Sequence, residues 1–240
     1  MTGRGAVLSM TAGQAPCPAG HSGVHALLHS REAPPVTQPY ASAPPVRRTR
    51  PSPGASVVLM TALLAGLWLL ESVDQLSGER LDLYGIRARE IDGLGGIATA
   101  PFLHAGWDHL ISNSLPFWVL GFLVLLGGLV RWAVSSLISI LGSGLAAWAL
   151  TPADTIIVGA SGLIFGWLTY LLARGLWSRS VAQIAVAVGV LVVYGSLIWG
   201  VLPGAAGVSW QAHLGGAIGG VLAAWLLHRR APRPTTTYGA

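Results

Sequence analysis

Six apolar runs follow one another along the chain, near residues 55–73, 109–129, 132–150, 156–173, 180–201 and 208–227. None shows the strict apolar–polar alternation that a half-buried strand or a barrel wall requires. At about 1.5 Å per residue, each run is long enough as a helix to cross a hydrocarbon core of roughly 30 Å. Hydrocarbon offers a backbone amide no water, so a spanning segment of this kind closes its hydrogen bonds within itself. The pattern therefore predicts an all-α, polytopic membrane protein with six transmembrane helices. Residues 1–53 are rich in Pro, Ala, Ser and Gly, carry no helical apolar period, and read as a disordered tail. Residues 54–229 form the membrane core, and 230–240 a second short tail.

Composition supports a lipid solvent: 52% of the residues are hydrophobic and 10% charged. The 14 basic residues are all arginine, and abundant Ala, Gly and Pro accompany them, the signature of a high-GC bacterial genome. The net charge of +5 does not point to nucleic acid, because the arginines flank apolar runs. Arg47, Arg48 and Arg50, then Arg131, then Arg174 with Arg179, and finally Arg229, Arg230 and Arg233 fall on one side of an alternating topology. That side is expected to be the cytoplasm, with both termini on it and the chain in a bacterial inner membrane. The linkers around Pro152–Asp154 and Pro203–Gly207 carry no arginine, whereas the long loop 74–108 mixes Arg80, Arg87 and Arg89 with Glu79, Asp82, Glu90 and Asp92. Tryptophans near both ends of the runs, such as Trp107, Trp148, Trp177 and Trp225, fit interfacial anchors. The first run is too far from Met1 and lacks a small-residue cleavage site, so it reads as a retained span rather than a signal peptide. Cys17 has no partner for a disulfide, and with His21, His25 and His29 it falls in the tail and receives no role.

This topology starts the second, fourth and sixth spans from the outer face, and polar residues gather at those starts. The second carries His109 and Asn113, the fourth Gly159-Ala160-Ser161-Gly162, and the sixth Gln211-Ala212-His213. Counted from the expected span starts, Ser161 and His213 each lie about five residues in, or roughly 7–8 Å below the interface. Polar groups at membrane depth are costly and call for partners. A serine hydroxyl becomes a nucleophile when a neutral imidazole takes its proton, so Ser161 and His213 make a natural pair. Attack on a carbonyl builds an oxyanion, for which His109 and Asn113, four residues apart on one helical face, and the Ser161 N–H are candidate donors. Gly162 with Gly166, and Gly215, Gly216, Gly219 and Gly220, form small-xxx-small pairs that let helices approach closely.

Each element has a plainer reading. A serine in a membrane helix commonly bonds its own backbone, and a membrane histidine can serve a metal or haem. The coincidence of four polar residues at one depth on three helices separates the catalytic reading from these. His104, just ahead of the second span, either stabilises its loop or binds an interface group; Asp108 is a solvated helix-start carboxylate. His228 sits beside Arg229 and Arg230 as an interfacial flank. No cofactor or metal is implied.

The set His109-x-x-x-Asn113, Gly159-x-Ser161-Gly162 and Ala212-His213-x-x-Gly216-x-x-x-Gly220, in that order, resembles the rhomboid family of intramembrane serine proteases over residues 55–228. The resemblance implies a six-helix core, a Ser161–His213 dyad without a third acid, and an oxyanion site of His109, Asn113 and the Ser161 backbone. It implies single-pass transmembrane proteins as substrates and an active site open to the extracytoplasmic side. His104 matches a further family histidine; the long first loop would be a stiff support in the outer leaflet, and the fifth helix with its following loop a substrate gate. Two departures stand out. The Trp-Arg pair frequent in that loop is absent, with Arg87 and Arg89 nearby instead, and Phe165 stands where many relatives carry tyrosine. The alternatives are a catalytically silent adaptor on the same scaffold, which typically lacks the serine or the histidine, and a small transporter, which the absence of an inverted repeat disfavours.

Overall fold

The computed structural model describes residues 50–204 and 207–229. Residues 1–49 of the expected tail at 1–53, and the expected tail at 230–240, with Cys17, His21, His25, His29, Arg47, Arg48, Arg230 and Arg233, lie outside the described residues, as do Ala205 and Ala206. The chain is built from helices: α1 (Pro53–Ser77), the short α2 (Gly96–Thr99), α3 (Trp107–Leu125), α4 (Leu129–Leu150), α5 (Ser161–Ser178), α6 (Val181–Tyr194) and α7 (Trp210–His228). Two short strands, β1 (Ile86–Arg87) and β2 (Ile156–Ile157), pair antiparallel. Six of the seven helices coincide with the six apolar runs. Four segments are long and apolar enough to cross a membrane by length and composition: α1, α3, α4, and α6 with its 3-10 extension through Val201. The helices α5 and α7 are less apolar because they face other helices: α5 buries a residue at nearly every position from Gly162 to Ala173, and α7 buries its glycines.

The fourth run does not start as a helix at 156. Ile156 and Ile157 instead pair with Arg87 and Ile86, and Gly159 takes a positive φ of 123°. The helix then begins at Ser161. β-branched residues beside a glycine that turns the chain favour this outcome over another helical turn. Ser161 is therefore the first residue of α5, and His213 lies in the first turn of α7 rather than five residues in.

Glycines bring α7 against two neighbours at once. On one face, a Cβ at Gly216 would overlap the Gly162 carbonyl, and one at Gly220 the Gly166 carbonyl, both on α5. On the other face, a Cβ at Gly215 would overlap the Gly142 carbonyl on α4, and one at Gly219 would lie 2.8 Å from the Ile138 carbonyl oxygen. Between α4 and α5, Gly166 admits Ser139, and the Trp167 indole donates to Ser136 Oγ at 2.9 Å. The bundle continues outward through the Phe117 and Trp167 rings, 5.2 Å apart, which join α3 to α5. Trp118 Nε1 donates to Thr61 Oγ1 and Trp68 Nε1 to Ser114 Oγ, each at 3.1 Å, tying α1 to α3. Interhelical hydrogen bonds of this kind contribute on average only about 0.6 kcal/mol each in membranes, so the close glycine packing carries more of the association.

The long loop is ordered and attached. Ile86 and Ala88 are buried, Ala88 N–H donates to Thr155 O at 3.0 Å, and Arg89 N–H donates to Trp148 O at 3.0 Å. Trp148 returns its indole N–H to Glu90 O at 2.7 Å. Arg87 bridges to Glu90 and Asp92, but these side chains are substantially exposed, and such pairs stabilise little. The loop is thus held by backbone bonds and buried apolar side chains. At its start, burial raises the Asp82 carboxyl to about 6, with the charges of Asp74, Glu71 and Glu79 adding to the effect.

Two outcomes follow. Gly216→Leu forces α7 away from α5 and should lower the thermal unfolding temperature in detergent, with overpacking costing about 1–3 kcal/mol or more. For Asp82, a folded-state pKa above the ordinary 3.8 means that the folded chain binds the proton more tightly, so its ionisation destabilises the fold as pH rises from 4 through 6. Asp82→Asn should therefore raise the unfolding temperature at pH 7 and lose that advantage by pH 4, measured by thermal scans across this range.

Candidate active site

The starts of α3, α5 and α7 surround a cavity of about 780 Å³ lined by His109, Ser112, Asn113, Ser161, Phe165 and His213, among others. The ladder between β1 and β2 and the bond from Gly159 N–H to Ala100 O at 2.8 Å deliver the chain to the first residue of α5. The wall contains Pro116, inside α3, which has no N–H to bond the Ser112 carbonyl one turn earlier.

His213 is 7% exposed and held on three sides. Its Nδ1 lies 2.9 Å from the Gly200 carbonyl oxygen, and its Nε2 lies 2.8 Å from Ser161 Oγ. A carbonyl can only accept, so Nδ1–H donates to Gly200 and the neutral ring presents Nε2 as an acceptor to the Ser161 hydroxyl. The Phe165 ring stacks on the imidazole with centroids 4.1 Å apart and planes 11° apart. The phenyl face packs flat without the hydroxyl that a tyrosine would bring.

Gly200 is a contributor that sequence reasoning missed. It lies in the 3-10 segment Gly195–Val201 following α6, and a carbonyl contact has no side-chain signature. The steric signal is clear once the fold is known: a Cβ at Gly200 would lie 2.7 Å from Phe165 Cζ and 3.3 Å from His213 Nδ1.

His109, Asn113 and Ser161 line the same cavity. Asn113 is 7% exposed, and its Nδ2 is buried without a hydrogen-bond partner among the described residues. As the first residue of α5, Ser161 has one of the N–H groups that a helix start leaves without an intrahelical partner. The His109 ring packs against Gly159, where a Cβ would lie 2.6 Å from its Cε1, so glycine is required both for this approach and for the positive φ. Gly162 similarly admits the Ser143 hydroxyl, whose space a Cβ would take.

His104 lies behind this wall, 1% exposed, with its ring edge-on to His109 at 5.2 Å. Burial, with His109 beside it, lowers its pKa to about 4. The neutral ring accepts from Ala160 N–H through Nε2 at 3.5 Å. His104 thus contacts the backbone of the residue before Ser161. Asp108 is exposed in the first turn of α3, as the sequence suggested. His228 differs from a simple flank, since its Nε2 bonds the Tyr170 hydroxyl at 3.0 Å. Among the described residues, no three His, Cys, Asp or Glu side chains converge as a metal-binding set.

Residues 93–230 match the family model of the Rhomboid domain. An uncharacterized protein of Mycobacterium tuberculosis is 48% identical over 184 residues, spanning 72% of this chain and 75% of that protein. Rhomboid-like protein 11, chloroplastic, of Arabidopsis thaliana is 31% identical over 148 residues, 55% of this chain and 51% of its own length. Rhomboid-like protease 5 of Toxoplasma gondii is 32% identical over 166 residues, 64% of this chain and 18% of its own length. With its apolar helices and a domain match across more than half of its length, the chain belongs to the rhomboid family of helical membrane proteins.

Proposed function

We propose that this protein is an intramembrane serine endopeptidase that cleaves single-pass transmembrane proteins, with Ser161 as nucleophile and His213 as base. The observation that carries the reading is the 2.8 Å contact between Ser161 Oγ and His213 Nε2 inside a cavity that His109, Ser112 and Asn113 also line. An imidazole whose Nδ1–H is engaged by Gly200 O is already the tautomer a base requires.

In the reaction, Ser161 Oγ attacks the substrate carbonyl as its proton passes to His213 Nε2. The oxyanion is received by the Asn113 amide, His109 and the Ser161 N–H, the first of which lacks a competing partner. His213 returns the proton to the leaving amine, giving an acyl-enzyme, and then activates the water that hydrolyses it. Because a helical peptide bond is closed to attack, the substrate segment must be extended where it enters. The side next to α6 and its 3-10 extension suits that entry: α6 buries Val190 and leaves most of its remaining residues partly or fully exposed. All six long helices cross the bilayer in this reading, with the arginine-rich end cytoplasmic, the cavity opening to the extracytoplasmic side, and the bacterial inner membrane as the site of action.

Ser161→Ala should abolish cleavage of a panel of single-pass membrane substrates by purified protein while leaving the unfolding temperature unchanged. Cleavage that persists in the mutant rules out this nucleophile; a wild-type chain that neither cleaves nor takes up a fluorophosphonate probe in bilayers is a silent adaptor instead. Gly200→Ala pushes on Phe165 and His213 together and should slow fluorophosphonate labelling by about tenfold to a hundredfold, as sub-ångström to 1 Å misplacements do.

A further inference from the structure

Every carboxylate among the described residues falls between Glu71 and Asp108 or at Asp154, at or near the cavity end of the bundle. At the opposite end, where α3 turns into α4 and where α5 and α7 finish, the charged residues are cations. One of them is buried. Arg174, one turn before the end of α5, is 7% exposed, and its Nε is without a hydrogen-bond partner among the described residues. Its guanidinium lies 6.0 Å from the centroid of the Tyr170 ring, whose hydroxyl is bonded to His228 Nε2 at 3.0 Å. Arg131 comes to the same place from α4 and donates from Nη1 to Gly127 O at 3.0 Å. A Cβ on Gly127 would stand 3.6 Å from Arg174 Nη1 and 3.9 Å from Arg131 Cδ, so both side chains converge on the turn between α3 and α4.

Two guanidinium groups packed together without a carboxylate leave a positive charge that burial makes expensive. The C-terminal dipole of α3 supplies about half a negative charge, too little for two cations. Planar N–H forks match phosphate oxygens, and basic pockets between helices at a membrane surface receive lipid headgroups. The same end of the bundle holds a second feature. An apolar groove of about 470 Å³ runs between α5 and α7, lined by Thr169, Trp177, Ile218, Leu222 and Trp225. Trp177 lies three residues after Arg174, and Trp225 three before His228, so the groove and the cations lie at a similar height in the bundle.

We propose that Arg131, Arg174 and the Tyr170–His228 pair form a site for the phosphate of an anionic phospholipid, with an acyl chain in the groove between α5 and α7. The site is independent of the reaction at Ser161 and lies about 20 Å along α5 from it.

Native mass spectrometry of the full-length protein in detergent, titrated with dioleoylphosphatidylglycerol or dioleoylphosphatidylcholine, tests the assignment. A saturable adduct is expected with the anionic lipid, weakened about tenfold or more by Arg131→Gln and by Arg174→Gln. The exposed Arg179→Gln should bind as the wild type does. Should Arg174→Gln fail to fold, Arg174→Lys, which keeps the charge but loses the fork, should still weaken the adduct. Displacement of the lipid by millimolar inorganic phosphate would make a free anion the occupant and overturn the headgroup assignment. Equal adducts with both lipids, or an equal loss in Arg179→Gln, would overturn the site itself.

Discussion

The contact on which the remainder of this protein depends is the approach of α7 to α4 and α5 through bare backbone. Gly215 and Gly219 face one neighbour while Gly216 and Gly220 face the other, so α7 is wedged between two helices with no side chain as spacer. In lipid no hydrophobic force drives apolar helices together, and association rests on dispersion at short range and on polar contacts. Close approach maximises the first and makes the second possible. His213 lies on α7 one turn from this seam, and a one-side-chain increase in spacing would exceed the tolerance of a 2.8 Å hydrogen bond to α5.

Polarity inside the bundle follows the same economy. Trp167 meets Ser136, Trp118 meets Thr61, and the hydroxyl of Thr169 meets the Ala217 carbonyl at 2.7 Å, so these donors have assigned partners. Asn113 Nδ2 is a departure, on a residue that lines the cavity also holding Ser161. Such a donor is costly in a site at rest and useful when charge develops beside it, which is the logic of the proposed oxyanion site. The same reasoning applied to Arg174 leads to a bound phosphate at the other end of the bundle.

The start of α5 is then fixed by the long loop. Its short strand pairs with the residues immediately ahead of Gly159, and its tether to Trp148 fixes it to the end of α4. A frequent family pairing is missing there, yet Ile86, Ala88 and four backbone hydrogen bonds or ladder contacts are sufficient to attach the loop to β2 and α4. The β1–β2 ladder therefore supports both the loop and Ser161, while α6 and its extension remain lightly packed and touch His213 through one carbonyl.

The amino-acid sequence by itself determined the helices, their order and which ends share polar residues, because apolar run length and arginine placement report directly on a lipid solvent. It also singled out Ser161, His213, His109 and Asn113 as candidates, since a hydroxyl, an imidazole and an amide have few other reasons to occur at equal depth in apolar runs. Tertiary structure decided what depends on backbone meeting backbone: the strand that displaced the first turn of the fourth run, the Gly200 carbonyl that orients His213, and the convergence of Arg131 with Arg174. Carbonyls and amides are the same at every residue, so their pairings leave no trace in residue type until the chain has folded.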